Sequence, residues 1–99
     1  MIEEHAMLTV SAGSETEFEA AFHLAKPVME SAPGCLRADL LPSVDRKHTF
    51  LLRVRWETLE SHTRTFPGTG QARECGRILQ PFLAGPPRVT HYLTPITSG

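Results

Sequence analysis

Two runs near the middle of the chain, Leu36 to Pro42 and Thr49 to Trp56, fit each other as antiparallel strands in one register. Placing Ala38 opposite Val54 sets Leu36 opposite Trp56 and Leu40 opposite Leu52 on an apolar face. The reverse face then holds Arg37 opposite Arg55 and Asp39 opposite Arg53. Side chains alternate with period two, so a slip of one residue would exchange every apolar side chain for a charged one. The polar loop Ser43 to His48 closes the pair as a hairpin.

The flanking segments extend this plan. Ala6, Leu8 and Val10 alternate with Met7 and Thr9, which predicts a first strand. Ser14 with Glu17 three residues later is a capping-box pattern. It opens a helix whose stripe is Phe18, Ala21, Phe22, Ala25, Met29 and Ala32. Pro27 should kink that helix or end its regular part early, and Pro33-Gly34 breaks it. After Trp56, Thr58 can cap a turn that places Leu59, His62 and Phe66 on one helical face. Pro67 to Gly70 interrupts, and Ala72, Cys75, Gly76, Leu79, Phe82 and Leu83 form a second stripe up to Gly85-Pro86-Pro87. Arg88 to Leu93 is a last strand with Val89, His91 and Leu93 on one face.

The order β-α-β-β-α-β predicts an α+β, ferredoxin-like fold over residues 1–99 as a single domain, with both helices on one face of an antiparallel sheet. The other face is then bare. Met7, Leu41 and Leu51 share it with the Arg and Asp residues, too apolar for water and too charged for a core. A chain of this length buries only about 60–65% of its unfolded surface, so covering that face with a second copy is the economical solution. A homodimer is expected, with Arg53 and Arg55 toward its interface.

Charge excludes some functions. The formal net charge of −1 offers no basic excess for phosphates, so no nucleic-acid partner is expected. The chain has no apolar run of membrane-spanning length, and MIEEH lacks a signal peptide's basic and apolar regions, which makes the cytoplasm the expected location without a membrane partner. Cys35 and Cys75 are isolated thiols, Cys75 on the apolar stripe as a small core residue. No metal site is expected, because the five histidines show neither helical i,i+4 pairing nor an H-E-x-x-H motif. The Gly68 to Arg73 stretch, GTGQAR, follows a helix instead of a strand and lacks a Walker ending, so it is a plain Pro/Gly break.

The stretch WETLESH, Trp56 to His62, remains. Trp56 belongs to the apolar strand face, and His62 to the inward stripe, with Phe22 or Phe18 facing them from the first helix. A histidine in an apolar cleft loses its imidazolium to desolvation and is available as a neutral base. By spacing alone, a core histidine bonded to a backbone carbonyl and a tryptophan that plugs the core are the plainer accounts.

The succession LTVSAGSETEFEAAF, PGCLRADL, FLLRVRWETLESH and LQPFLAGPPRVTHY resembles the antibiotic biosynthesis monooxygenase family, over roughly Met7 to Tyr92. The resemblance implies a dimeric α/β-barrel of ferredoxin-like subunits, each with a pocket between sheet and helices. It implies oxidation of an aromatic polyketide- or quinol-like small molecule by molecular oxygen, with no metal or flavin cofactor. On that reading His62 is the catalytic base, and Trp56, Phe22 and Phe66 are pocket walls. His23 and Tyr92 are candidates for polar contacts with substrate. Arg53 and Arg55 would reach a substrate anion only from the opposite sheet face to the one assigned. The family's haem-degrading branch carries a first-strand Asn, a second Trp and a His on the second helix, all lacking here. Two non-enzymatic alternatives stand beside the oxygenase: a dimeric small-ligand-binding protein using the same pocket, and an assembly dimer with a closed core.

Overall fold

A computed structural model of the chain describes residues 1–97. Its elements are β1 (Ile2–Thr9), α1 (Glu15–Glu30), β2 (Cys35–Pro42), β3 (Thr49–Trp56), α2 (Gly70–Leu79) and β4 (Arg88–Leu93). Between β3 and α2 lie a π-helical turn, Ser61–Thr65, and a 3-10 turn, Phe66–Gly68. The four strands form one antiparallel sheet in the order β2-β3-β1-β4, with β1 paired to both β3 and β4. This is the ferredoxin-like α+β arrangement, and the sheet does not close on itself within one chain.

The β2–β3 register is the one that alternation demands from Arg37 to Pro42, with Ala38 opposite Val54 and Leu40 opposite Leu52. It departs at the end of the pair. A bulge between Cys35 and Arg37 sets Cys35, not Leu36, opposite Trp56. Cys35 thereby joins the core while Leu36 turns out to water. An extra residue in one strand shifts side-chain parity beyond it.

Helix α1 runs through Pro27 to Glu30 without an early end. Pro27 lies on the exposed face, where a carbonyl left without its N–H partner is open to water. The capping box at its start does not form. Ser14 makes no side-chain cap, and Glu15 Oε1 instead accepts from the Gly13 N–H at 2.7 Å. At α2 the cap is explicit, since Thr69 Oγ1 accepts from the Ala72 N–H at 3.1 Å.

One core lies between helices and sheet: Ala6, Leu8, Phe50, Leu52, Val54 and Trp56 from the strands meet Phe18, Phe22, Ala25, Met29, Cys75 and Leu79 from the helices. Cys75 is buried and directs Sγ at the Ala25 carbonyl, so it packs as a small apolar residue. The outer face carries Arg37, Asp39, Arg53, Arg55 and Glu3 beside Met7, Leu41 and Leu51. Asp39 sits 2.8 Å from Arg37 and 3.7 Å from Arg53, and Glu3 sits 3.7 Å from Arg55. Both arginines therefore lie on the face away from the helices.

Candidate active site

Strand parity builds the site from its floor. Leu8, Ala6 and Glu4 point the same way along β1, so Glu4 continues the core stripe as a carboxyl group and is 6% exposed. On β3, Trp56 ends the inner face opposite Ile2 and is fully buried. The indole Nε1–H donates to Glu4 Oε1 at 2.9 Å. On β4, His91 lies opposite Glu4.

The chain then leaves β3 through the π-helical turn. Thr58 Oγ1 accepts from the Ser61 N–H at 3.1 Å and starts it, and the Phe66 N–H bonds back to the Ser61 carbonyl. This i→i+5 closure inserts an extra residue into the turn, a device concentrated at functional sites. It throws Leu59 outward to 40% exposure, so Leu59 does not share the inner face expected for it. His62 and Phe66 are retained. The His62 ring stacks on the indole with centroids 5.1 Å apart and an interplanar angle of 18°. Phe66 meets the same indole edge-on at 5.2 Å.

Both ring nitrogens of His62 face polar atoms, and the one toward His91 is hydrogen-bonded. Nε2 lies 3.4 Å from Glu4 Oε1, and Nδ1 lies 2.8 Å from His91 Nε2. The result is a chain of three proton-carrying groups, Glu4–His62–His91, drawn from β1, the π turn and β4. Burial pushes the Glu4 carboxyl above its ordinary range, against the opposing pull of the Trp56 hydrogen bond. Burial also lowers the His62 imidazolium to about 4, with His91 adding to the effect. His62 is thus neutral at pH 7. The polar atoms of the trio face one another and do not converge on an empty point, and no metal-holding cluster occurs among the described residues.

Next to the cluster, α2 stands off the sheet over a cavity of about 730 Å³. Leu8 and Leu52 form its floor, Ala72, Cys75, Gly76 and Leu79 its roof, and Ala84 to Pro87 its rim. Phe66 joins cavity and cluster, since it lines the first and packs on Trp56 and His62 of the second. Pro67 to Gly70 comprises the end of the 3-10 turn, the Thr69 cap and the first residue of α2.

Of the side chains expected at the site, the fold brings Trp56, His62 and Phe66 together. Phe22 and His23 border a separate hollow beside α1 and β2, with Lys26, Asp39 and Leu40. Tyr92 lies on the outer sheet face, its ring 4.8 Å from that of His5. It neighbours His91 in sequence, and alternation sends the two to opposite faces. Glu4 and His91 were not among the expected site residues. Their signal was strand parity: Glu4 extends the Ala6–Leu8 stripe, and His91 shares a face with Val89 and Leu93.

Comparison with known proteins bears on what this arrangement does. The family model described as antibiotic biosynthesis monooxygenase matches residues 1–73. The uncharacterised Bacillus subtilis protein YczJ is 38% identical over 92 residues, which span 93% of this chain and 97% of that protein. A crystal structure from Bordetella bronchiseptica, named for the same family, superposes with a TM-score of 0.91 at 30% identity, covering 96% of this chain and 97% of the other. The fold is also that of SnoaB from Streptomyces nogalater, described as a cofactor-independent oxygenase. There the TM-score is 0.76 at 18% identity, with 97% of this chain and 94% of that one covered.

Proposed function

Because the chain belongs to the antibiotic biosynthesis monooxygenase family, we propose that it oxidises an aromatic, polyketide- or quinol-like small molecule with molecular oxygen, without a bound cofactor. The observation that carries this reading is the hydrogen-bonded His62–His91 pair, with Glu4 facing it, beside an apolar cavity of ring-system size. Pockets that hold small ligands are commonly about 300–1,000 Å³ and mostly apolar. The fold-level likeness to a cofactor-independent oxygenase supports the same chemistry.

The protein's task in such a reaction is small and specific. An anthrone or quinol carries an acidic proton, and its anion is electron-rich enough to pass one electron to oxygen. Recombination of the resulting pair and loss of water convert a ring CH2 and O2 into a carbonyl and H2O. The enzyme binds a flat molecule, removes the proton and shelters the anion from bulk water. Trp56 and Phe66 supply aromatic surface, and the bonded imidazoles of His62 and His91 supply the base. The molecule works as a cytoplasmic homodimer, its mixed apolar and charged sheet face covered by a second copy.

One observation favours the ligand-binding alternative. Trp56 and Phe66 are in contact, and Phe66 is the part of the cluster that forms the cavity wall. Oxygenation then requires Phe66 to give way or the substrate to reach the histidines past it. Oxygen uptake by metal-free protein against anthrones and quinols, with His62→Ala alongside, tests the proposal. Protein-dependent uptake that collapses in the variant while ligand affinity persists supports the oxygenase. Ligand affinity without uptake in either protein leaves the binder.

A further inference from the structure

We infer that the substrate's proton is taken at Nδ1 of His91, and that His62 is the positioning residue that holds His91 ready to receive it. This rests on the oxygenase reading above and assigns roles within its base.

The polar contacts run outward from Glu4 through His62 to His91. Oε1 of Glu4 accepts from the indole N–H, which can only donate. If Glu4 carries a proton, that proton is therefore on the other oxygen, and Oε1 is an acceptor in both ionisation states. His62 Nε2 lies 3.4 Å from this acceptor. A bare Nε2 would set its lone pair against that of the oxygen, so the ring proton belongs on Nε2. A neutral imidazole has one N–H, so His62 Nδ1 is bare and accepts from His91 Nε2–H across 2.8 Å. In the neutral ring of His91 the one proton is then committed to His62, and Nδ1 is bare. No hydrogen bond engages that nitrogen among the described residues.

Location agrees with this assignment. His62 has Nδ1 engaged by His91 and Nε2 turned into the core toward Glu4, and burial keeps the ring uncharged, which suits an acceptor that fixes its neighbour's tautomer. His91 is half-buried on the edge strand β4. The cavity rim, Ala84 to Pro87, runs directly into that strand. On its inner face Val89 and Leu93, 45% and 79% exposed, flank His91 as open apolar surface. A flat aromatic extending from the cavity along β4 reaches His91 without displacing Phe66. The step is a plain proton transfer: the substrate O–H or acidic C–H breaks, Nδ1–H forms, and the charge is shared through the Nε2–H bond to His62.

The test combines one measurement that needs no turnover with one that does. Nitrogen NMR of 15N-histidine-labelled protein at neutral pH reads each ring's protonated nitrogen, assigned with His62→Gln and His91→Gln. Protonated Nε2 on both rings is expected. A proton on His62 Nδ1, or on His91 Nδ1 in the neutral ring, overturns the inference. In oxygen uptake with anthrone, His91→Gln should lose about 10²–10⁴-fold, the usual contribution of a general base. His62→Ala should fall sharply, and His62→Gln, whose amide oxygen can still accept from His91, should recover at least tenfold over it. Uptake by His91→Gln equal to that of the unmodified protein overturns the inference and leaves the oxygenase reading standing. Absence of uptake by the unmodified protein instead counts against the oxygenase reading, and the NMR result then decides the proton arrangement alone.

Discussion

The indole N–H of Trp56 donates to the carboxyl of Glu4 at 2.9 Å, and this bond ties the end of β3 to β1 inside the core. A buried polar pair of this kind is costly to break from one side, because the remaining partner keeps its desolvation without compensation. Trp56→Phe leaves Glu4 in that position and opens a void. The expected loss is about 2–4 kcal/mol in urea denaturation, from the orphaned carboxyl and the cavity together. Adding Glu4→Leu removes the orphan, so the double variant should be more stable than Trp56→Phe alone. Additive losses would mean that the bond carries little energy.

Glu4 and His62 give opposite pH signatures, although burial displaces both. The folded-state pKa of Glu4 lies above the ordinary value of 4.5, so the folded state holds the proton longer. Stability therefore declines as pH rises from about 4.5 through the folded value. His62 is depressed from 6.5 to about 4, so the unfolded state binds the extra proton in that window. Its contribution is present above pH 6.5 and lost as pH falls toward 4, at most about 3 kcal/mol at roughly 1.4 kcal/mol for each pH unit. In denaturation curves taken from pH 4 to 8, Glu4→Gln should steepen the rise of stability with pH. His62→Phe keeps a ring on the indole and should flatten that rise. Identical pH profiles for all three proteins would contradict the burial of these groups.

Gly34 sets the position of the turn that carries His62. It adopts φ +78°, and its carbonyl accepts from the Glu57 N–H at 2.8 Å. A side chain there would collide with Cβ and Oγ of Ser61, the residue before His62. Gly34→Ala thus combines about 1–2 kcal/mol of left-handed backbone strain with displacement of the π turn. Ser61→Gly in the same chain relieves the collision and not the strain. Thermal denaturation should place the double variant between the unmodified protein and Gly34→Ala. Indole fluorescence should report the disturbed Trp56–His62 stack in Gly34→Ala. A single variant as stable as the unmodified protein would show that the turn yields at no cost.

Period-two alternation was sufficient for the β2–β3 register and for placing Arg53 and Arg55, because both faces of that hairpin are marked. It missed the bulge at Leu36, since Cys35 and Leu36 are both apolar and either fits the core. Pro33-Gly34-Cys35 and the Trp56–His62 stretch were each visible as local patterns. Their contact, Gly34 against Ser61, joins residues 27 apart. Glu4 was hidden for a different reason: a carboxylate near a strand's start reads as solvated until Trp56 is known to lie over it. That depends on the β1–β3 pairing, between segments far apart in sequence. Tyr92 falls on the outer face by the parity that Val89, His91 and Leu93 define. Phe22 was read correctly as core, but the helical stripe carries no information on which end of the core each ring occupies.

Gly76 offers a way to separate the cavity from the histidines. It lies on α2 among the residues that line the cavity, and a Cβ built on it meets nothing within 4 Å. Glycine in a helix interior costs about 1 kcal/mol relative to good helix formers, so Gly76→Leu should fold at least as stably as the unmodified protein. Its side chain projects into the space of about 730 Å³ beneath α2, away from Glu4, His62 and His91. Affinity for an apolar fluorescent probe such as anilinonaphthalene sulfonate should fall by at least tenfold, a loss of about 1.4 kcal/mol. With anthrone as substrate, KM should rise more than kcat falls, because binding is obstructed and the base is untouched. Unchanged probe affinity and unchanged KM would remove this cavity as the binding site and leave the open inner face of β4 as the place where substrate meets His91.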